Sequence, residues 1–173
     1  MIYVMQVLTG KEEYVIYFLK KWFLTDEDKA FSPDCELEKK FRGDVSYVTR
    51  RLMPGYVFIQ TDDPINLYTR LDIAKEHHFF QTMTKFLRSE QVVMPLQDKE
   101  EHLLLSLFDE NYHTGISQGT IKAGKLRILS GPLMGMEERI TKIDRHKKTA
   151  TLSMQIAEKW VTLKVGLEVK EKS

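Results

Sequence analysis

The chain has 173 residues, 42% hydrophobic and 29% charged, ordinary proportions for a globular protein of one medium domain or two small ones. No apolar run approaches the roughly 20 residues of a membrane helix. The start, Met1-Ile2-Tyr3-Val4-Met5, lacks the basic segment and long apolar stretch of a signal peptide, and the single cysteine, Cys35, excludes an intrachain disulfide. These features predict a cytoplasmic protein.

The net charge of +1 hides an uneven distribution. Residues 120–173 hold 12 Lys+Arg against 6 Asp+Glu, a net of +6, whereas residues 1–119 hold 14 against 19, a net of −5. A small basic part joined to a mildly acidic one predicts two domains with different partners.

Tyr3 to Leu8 is apolar and rich in β-formers, so a strand opens the chain. Thr9 and Glu12 have the spacing of a capping box, and Val15, Ile16, Leu19, Trp22 and Phe23 mark one face of a following helix. Strands are expected between Phe31 and Gln60, with Phe41-Arg42-Gly43-Asp44-Val45 as a turn between two of them. Leu52 to Ile59 reads as a buried strand entered through Pro54-Gly55. Its alternation puts Tyr56 and Phe58 on one face and Val57 and Ile59 on the other. Asp62-Asp63-Pro64 starts a second helix carrying Leu67, Leu71 and Ala74. A short strand from Phe86 to Val93, ended by Pro95, and a third helix over Asp98 to Phe108, with Leu103, Leu104 and Leu107 buried, complete this part. The order predicts an α+β fold, an antiparallel sheet flanked by helices, over residues 1–108.

Residues 109–119 are polar, contain Gly115 and Gly119 and show no period, so they are expected to be a linker. Residues 120–173 alternate in short runs: Lys125 to Leu129, Arg139 to Ile143, Thr149 to Met154, Trp160 to Leu163 and Leu167 to Val169. Five short strands with tight turns predict a small β-barrel.

One turn within that barrel, Gly131-Pro132-Leu133-Met134-Gly135, has two glycines that let its backbone approach a flat partner closely. The basic run Arg145-His146-Lys147-Lys148 at the next turn can neutralise phosphates.

The stretch from Ala123 through the Gly131–Gly135 turn to Asp144 resembles the KOW motif of NusG-type factors and certain ribosomal proteins. Tyr3 to Glu12 resembles the opening of the NusG N-terminal (NGN) domain, and Arg50-Arg51-Leu52-Met53-Pro54-Gly55-Tyr56-Val57-Phe58-Ile59 its FPGY strand. Phe86-Leu87, Met94-Pro95-Leu96 and Glu100 resemble its last strand and helix entry. The ordered set covers nearly the whole chain. Within the family the chain is similar to the specialised antiterminator paralogues of the LoaP type, from the stretch Gly131 to Lys147 and the ending Val165-Gly166-Leu167-Glu168-Val169. It departs from the family at three positions. Met53 stands for the usual Phe, Glu138 for a usual Gly, and Arg139 for a usual aliphatic residue. A carboxylate at position 138 repels phosphate.

The resemblance implies an NGN domain over residues 1–108 and an SH3-like KOW barrel over residues 120–173. It implies docking of the NGN domain on the clamp helices of RNA polymerase through Met53, Pro54, Tyr56 and Phe58. It also implies nascent RNA as a partner, including a leader hairpin. Candidate contacts are Lys11, Arg50, Arg51, Arg145, Lys147 and Lys148, with Gly131, Pro132, Leu133 and Gly135 as the KOW loop. The factor would be a monomer with no membrane partner and no cofactor. It would promote processive elongation past pauses and terminators. A housekeeping NusG acting at most genes and a ribosome-associated KOW protein are the alternatives. His77, His78, His102, His113 and His146 have no metal-ligand spacing, so neither a metal site nor catalysis is expected.

Overall fold

In a computed structural model the described residues are 1–85 and 93–172. They divide into two compact units, one of residues 1–32 and 53–101, the other of residues 33–52 and 102–173. The expected strand from Phe86 lies largely outside the described residues.

The first unit is helix-backed. Its sheet has the order β2 (Lys29–Phe31), β5 (Tyr56–Gln60), β1 (Ile2–Gln6), β6 (Met94–Pro95), and every pairing is antiparallel. Against one face lie α1 (Glu12–Trp22), α2 (Pro64–Lys75) and the short α3 (His78–Met83). The core there joins Met5, Val7, Val57 and Ile59 of the sheet to Val15, Ile16, Leu19, Leu67, Leu71, Ala74 and Phe80 of the helices. Each such apolar side chain contributes about 1.5–3 kcal/mol on burial. The α2 face is the one the sequence predicts; on α1 Val15, Ile16 and Leu19 are buried as expected, but Trp22 is 64% exposed and the buried Phe23 is the residue that caps the helix end. Asp63 caps α2, accepting a hydrogen bond from the Asn66 amide at 3.2 Å, with Pro64 in the first turn. The α3 helix was not anticipated, and Thr9 caps nothing, since Lys11 holds the cap position of α1 without a side-chain hydrogen bond.

The second unit is β-rich. A hairpin, β3 (Asp34–Phe41) and β4 (Asp44–Arg51), turns through Arg42-Gly43, both at positive φ, as a tight two-residue hairpin requires. Helix α4 (Asp98–Leu105) spans the chain division and ends before the predicted Phe108; Leu104 and Leu107 are buried and Leu103 is half-buried. The stretch expected as linker carries β7 (His113–Thr114), which pairs parallel to β3, and the start of β8 (Ser117–Lys122). A five-stranded sheet follows, in the order β10 (Ile140–Asp144), β11 (Thr149–Ile156), β12 (Lys159–Lys172), β8, β9 (Lys125–Ser130). Strands β8 and β12 are parallel and the other pairs antiparallel. The two short strands expected after residue 159 are one long strand. With β8 added the count stays at five, and the module is consistent with a KOW-like β domain. Ile128, Leu133, Met136, Ala150, Leu152, Met154, Ile156, Ala157, Leu163, Val165 and Leu167 are its buried apolar residues among those described.

Candidate functional site

Two surfaces gather the residues singled out by the sequence, one on each unit. On the helix-backed unit it is the turn before β5. The Gly55 carbonyl accepts from the Val7 amide at 2.9 Å, and the Gly55 amide donates to the Glu12 carboxylate at 2.6 Å. Glu12 is buried at the start of α1. Its partner is therefore the turn, 43 residues away, and not its own helix end. A charge-assisted bond of that length, buried, is among the stronger hydrogen bonds a fold contains. The Ser32 hydroxyl donates to the Tyr56 carbonyl at 2.9 Å, fixing the turn from the β2 side.

Pinned this way, the turn exposes Pro54 and half-exposes Tyr56. Met53 and Phe58 are buried, with Phe58 stacked on Phe31 at 5.5 Å between ring centroids. The face shared by Tyr56 and Phe58 is thus open at one end and closed at the other. Of the four residues expected at a polymerase contact, two reach the surface and two are buried. Leu8, 41% exposed, follows the Val7 residue that holds Gly55.

In the β-rich unit the Gly131–Gly135 loop is closed on itself. Gly131 has φ +95°, and a Cβ there would stand 2.7 Å from the Ser117 Cα. The Ser117 hydroxyl accepts from the Leu133 amide at 3.0 Å, and Leu133 is fully buried. Glu137 accepts from the Ile128 amide at 3.0 Å, a bond that holds its carboxyl below the usual range. Glu138 lies in a 3₁₀ turn (Glu137–Arg139), exposed and outside the positive-φ region, so the usual Gly is not needed there. The loop therefore supports the module; Gly131 and Gly135 are exposed, Pro132 half-buried and Leu133 internal.

The six proposed nucleic-acid contacts are not brought together. Lys11 belongs to the helix-backed unit, its ammonium 5.2 Å from the Tyr14 ring centroid. Arg51 pairs with Asp34 at 3.2 Å. Lys148 is held by Glu38 at 2.6 Å and Glu168 at 3.0 Å, and those two hydrogen bonds raise its pKa. Arg145 is exposed in its turn. Arg50 and Lys147, in contrast, line one groove of about 330 Å3, together with Lys39, Lys40, Lys164 and His146. Its floor is apolar, with Leu37 and Val48 half-buried. Sequence reasoning passed over the Lys39-Lys40 pair and Lys164, which lies 124 residues beyond Lys40 along the chain.

Cys35 is buried in β3, and its thiol is pushed up to about 11, first by burial and then by the Asp34 charge. Such a thiol is not a nucleophile at neutral pH. Among the described residues no group of three or more His, Cys, Asp or Glu could hold a metal ion, and no helix is long and apolar enough to cross a membrane.

Residues 2–105 match the family model described as Transcription termination factor nusG. A comparison with curated proteins gave no match.

Proposed function

The chain belongs to the NusG family, whose model covers more than half of it, and from that membership we propose that it docks on the RNA polymerase clamp helices through Pro54 and Tyr56. Members of this family are non-enzymatic transcription elongation and termination factors that interact with RNA polymerase. The finer reading is an operon-restricted antiterminator of the LoaP type, recruited through nascent leader RNA, working as a monomer in the cytoplasm. Its residues 120–173 serve as the KOW arm. The observation that carries the docking reading is the Pro54–Tyr56 turn, held rigid by Glu12, Val7 and Ser32 while its apolar side chains stay accessible. A preformed surface avoids the ordering cost that weakens binding by mobile loops.

Met53 and Phe58 are buried, so in this reading they serve the fold of the turn and strand rather than the contact itself. Tyr56 offers a ring for apolar contact and a hydroxyl for a polar one, the combination common at interface centres. A bound factor does no chemistry. It biases the polymerase toward its closed, elongating state by the difference in its affinity for the two states.

Binding of Tyr56→Ala to a clamp-helix fragment tests the docking surface. The expected outcome is a loss of about tenfold or more in affinity, with the unfolding transition unchanged. Undiminished binding, or a transition that collapses together with binding, overturns it. Transcription through a terminator, with and without the upstream leader, tests the recruitment. Antitermination independent of the leader identifies a factor acting at most genes.

A further inference from the structure

The groove of the β-rich unit is built by two segments far apart in sequence. The hairpin supplies Lys39, Lys40 and Arg50 along with the floor residues Leu37 and Val48. The five-stranded module supplies His146 and Lys147 from the β10–β11 turn and Lys164 from β12. The one carboxylate in the lining, Glu38, is engaged by Lys148 at 2.6 Å. Lys148 is shared with Glu168, and Lys40 also lies 4.0 Å from Glu38, so the lining sets five Lys and Arg side chains against this one carboxylate. These cations are exposed and solvated, the state from which a polyanion can displace counterions.

We propose that this groove is a composite RNA-binding site, in which the hairpin and the five-stranded module grip one sugar-phosphate strand from opposite walls. The inference rests on nascent RNA being a partner and names where it binds. The groove, of about 330 Å3, is a small opening rather than a broad bed. It matches a single strand lying along it, with phosphates toward the lysine rims and ribose against Leu37 and Val48. Cationic rims over an apolar floor suit a strand that is charged on one side and apolar on the other. The KOW loop is not part of this site; its contacts are internal. Arg145, one residue outside the lining, extends the same path.

Fluorescence anisotropy of the full chain with a labelled single-stranded RNA of mixed sequence tests the proposal across a salt series. Lys39→Gln/Lys40→Gln on the hairpin and Lys147→Gln/Lys164→Gln on the module should each weaken binding by roughly tenfold at 0.15 M salt. Each pair should also lower the slope of log K against log[salt] by about 1.4, since each strand phosphate contact contributes about 0.7. Lys122→Gln/Lys125→Gln, on the β8–β9 turn outside the groove, should change neither. Circular dichroism melts of each variant confirm that it is folded, and a DNA oligonucleotide and a polyglutamate peptide serve as competitors.

Loss confined to the module pair places RNA on that module alone and overturns the composite site. Equal losses from all three pairs, the control included, show diffuse charge attraction and overturn the groove. Competition by polyglutamate as strong as by RNA assigns the groove to an acidic protein instead. Absence of any RNA binding by the unaltered chain overturns the nascent-RNA reading itself, an outcome distinct from the groove failing.

Discussion

The helix-backed unit carries 9 Lys+Arg against 13 Asp+Glu, a net of −4, while the β-rich unit carries 17 against 12, a net of +5. The more telling difference is where the charges act. In the helix-backed unit the structurally engaged carboxylates are fasteners. Glu12 holds the Gly55 amide, and Asp28 accepts from the Thr25 amide and hydroxyl and pairs with Arg70 at 3.1 Å. Burial pushes the Asp28 carboxyl up, but hydrogen bonds from Thr61 and Thr25 and the Arg70 charge outweigh it and hold it low. In the β-rich unit Glu137 holds the Ile128 amide, Arg51 pairs with Asp34 and Lys148 with Glu38 and Glu168, but most of the cations face water. One unit buries two carboxylates, Glu12 and Asp28, in its own fastening and offers an apolar turn. The other keeps most of its cations at the surface. A polymerase surface and a polyanion are the partners these two dispositions fit.

The sharpest way to break this contrast is Gly131→Ala. The left-handed backbone at φ +95° and the 2.7 Å approach to the Ser117 Cα should cost the β-rich unit about 3 kcal/mol. Hydrogen exchange should quicken at the β8 and β9 amides while β1 and β5 keep their protection. Equal acceleration in β1 and β5 would show that the two units unfold as one.

Next in size is Glu12→Ala, which strands the buried Gly55 amide and should destabilise the helix-backed unit by about 2 kcal/mol. Glu12→Gln keeps an acceptor without the charge and should recover about half. Clamp-fragment affinity should follow the same ranking, measured at a temperature where all three proteins are folded. An affinity that ignores position 12 would mean the turn needs no tether.

The smallest effect is a null one. With its thiol near 11, Cys35 should have a thiolate fraction of about 0.1% at pH 8 and resist iodoacetamide until the protein unfolds. Its Sγ lies 3.7 Å from the Lys164 carbonyl, so labelling under native conditions would report the hairpin lifting from β12.

The parts legible in the sequence were those governed by local periodicity. The Val15–Leu19 and Leu67–Ala74 faces fixed α1 and α2, and Phe41-Arg42-Gly43-Asp44 fixed the hairpin turn. Strand β8 escaped because Ser117-Gln118-Gly119-Thr120 is polar and glycine-containing. It is a strand because β12 and β9 pair with it on either side. Two short strands were expected, ending at Leu163 and starting at Leu167, yet β12 runs through both, and between them the Glu36 carbonyl comes within 2.8 Å of where a Cβ on Gly166 would be. Glu12 looked like a capping residue because the spacing to Thr9 was right. Its true partner is fixed by tertiary structure, which no spacing rule reaches. The candidate sites divide the same way. Pro54 and Tyr56 belong to one short motif, whereas Lys39 and Lys164 meet only in three dimensions.

The hairpin's attachment also bears on how such a protein can be cut and recombined. Gly166 leaves room for β3, Cys35 reaches the Lys164 carbonyl, and Lys148 grips Glu38. The family match ends at residue 105, but a graft of the remaining C-terminal residues alone would leave these three contacts empty. The transferable piece is discontinuous: residues 33–52 must travel with residues 102–173. An exchange between relatives that respects only the linear boundary would part a lysine from its carboxylate and a strand from its cover.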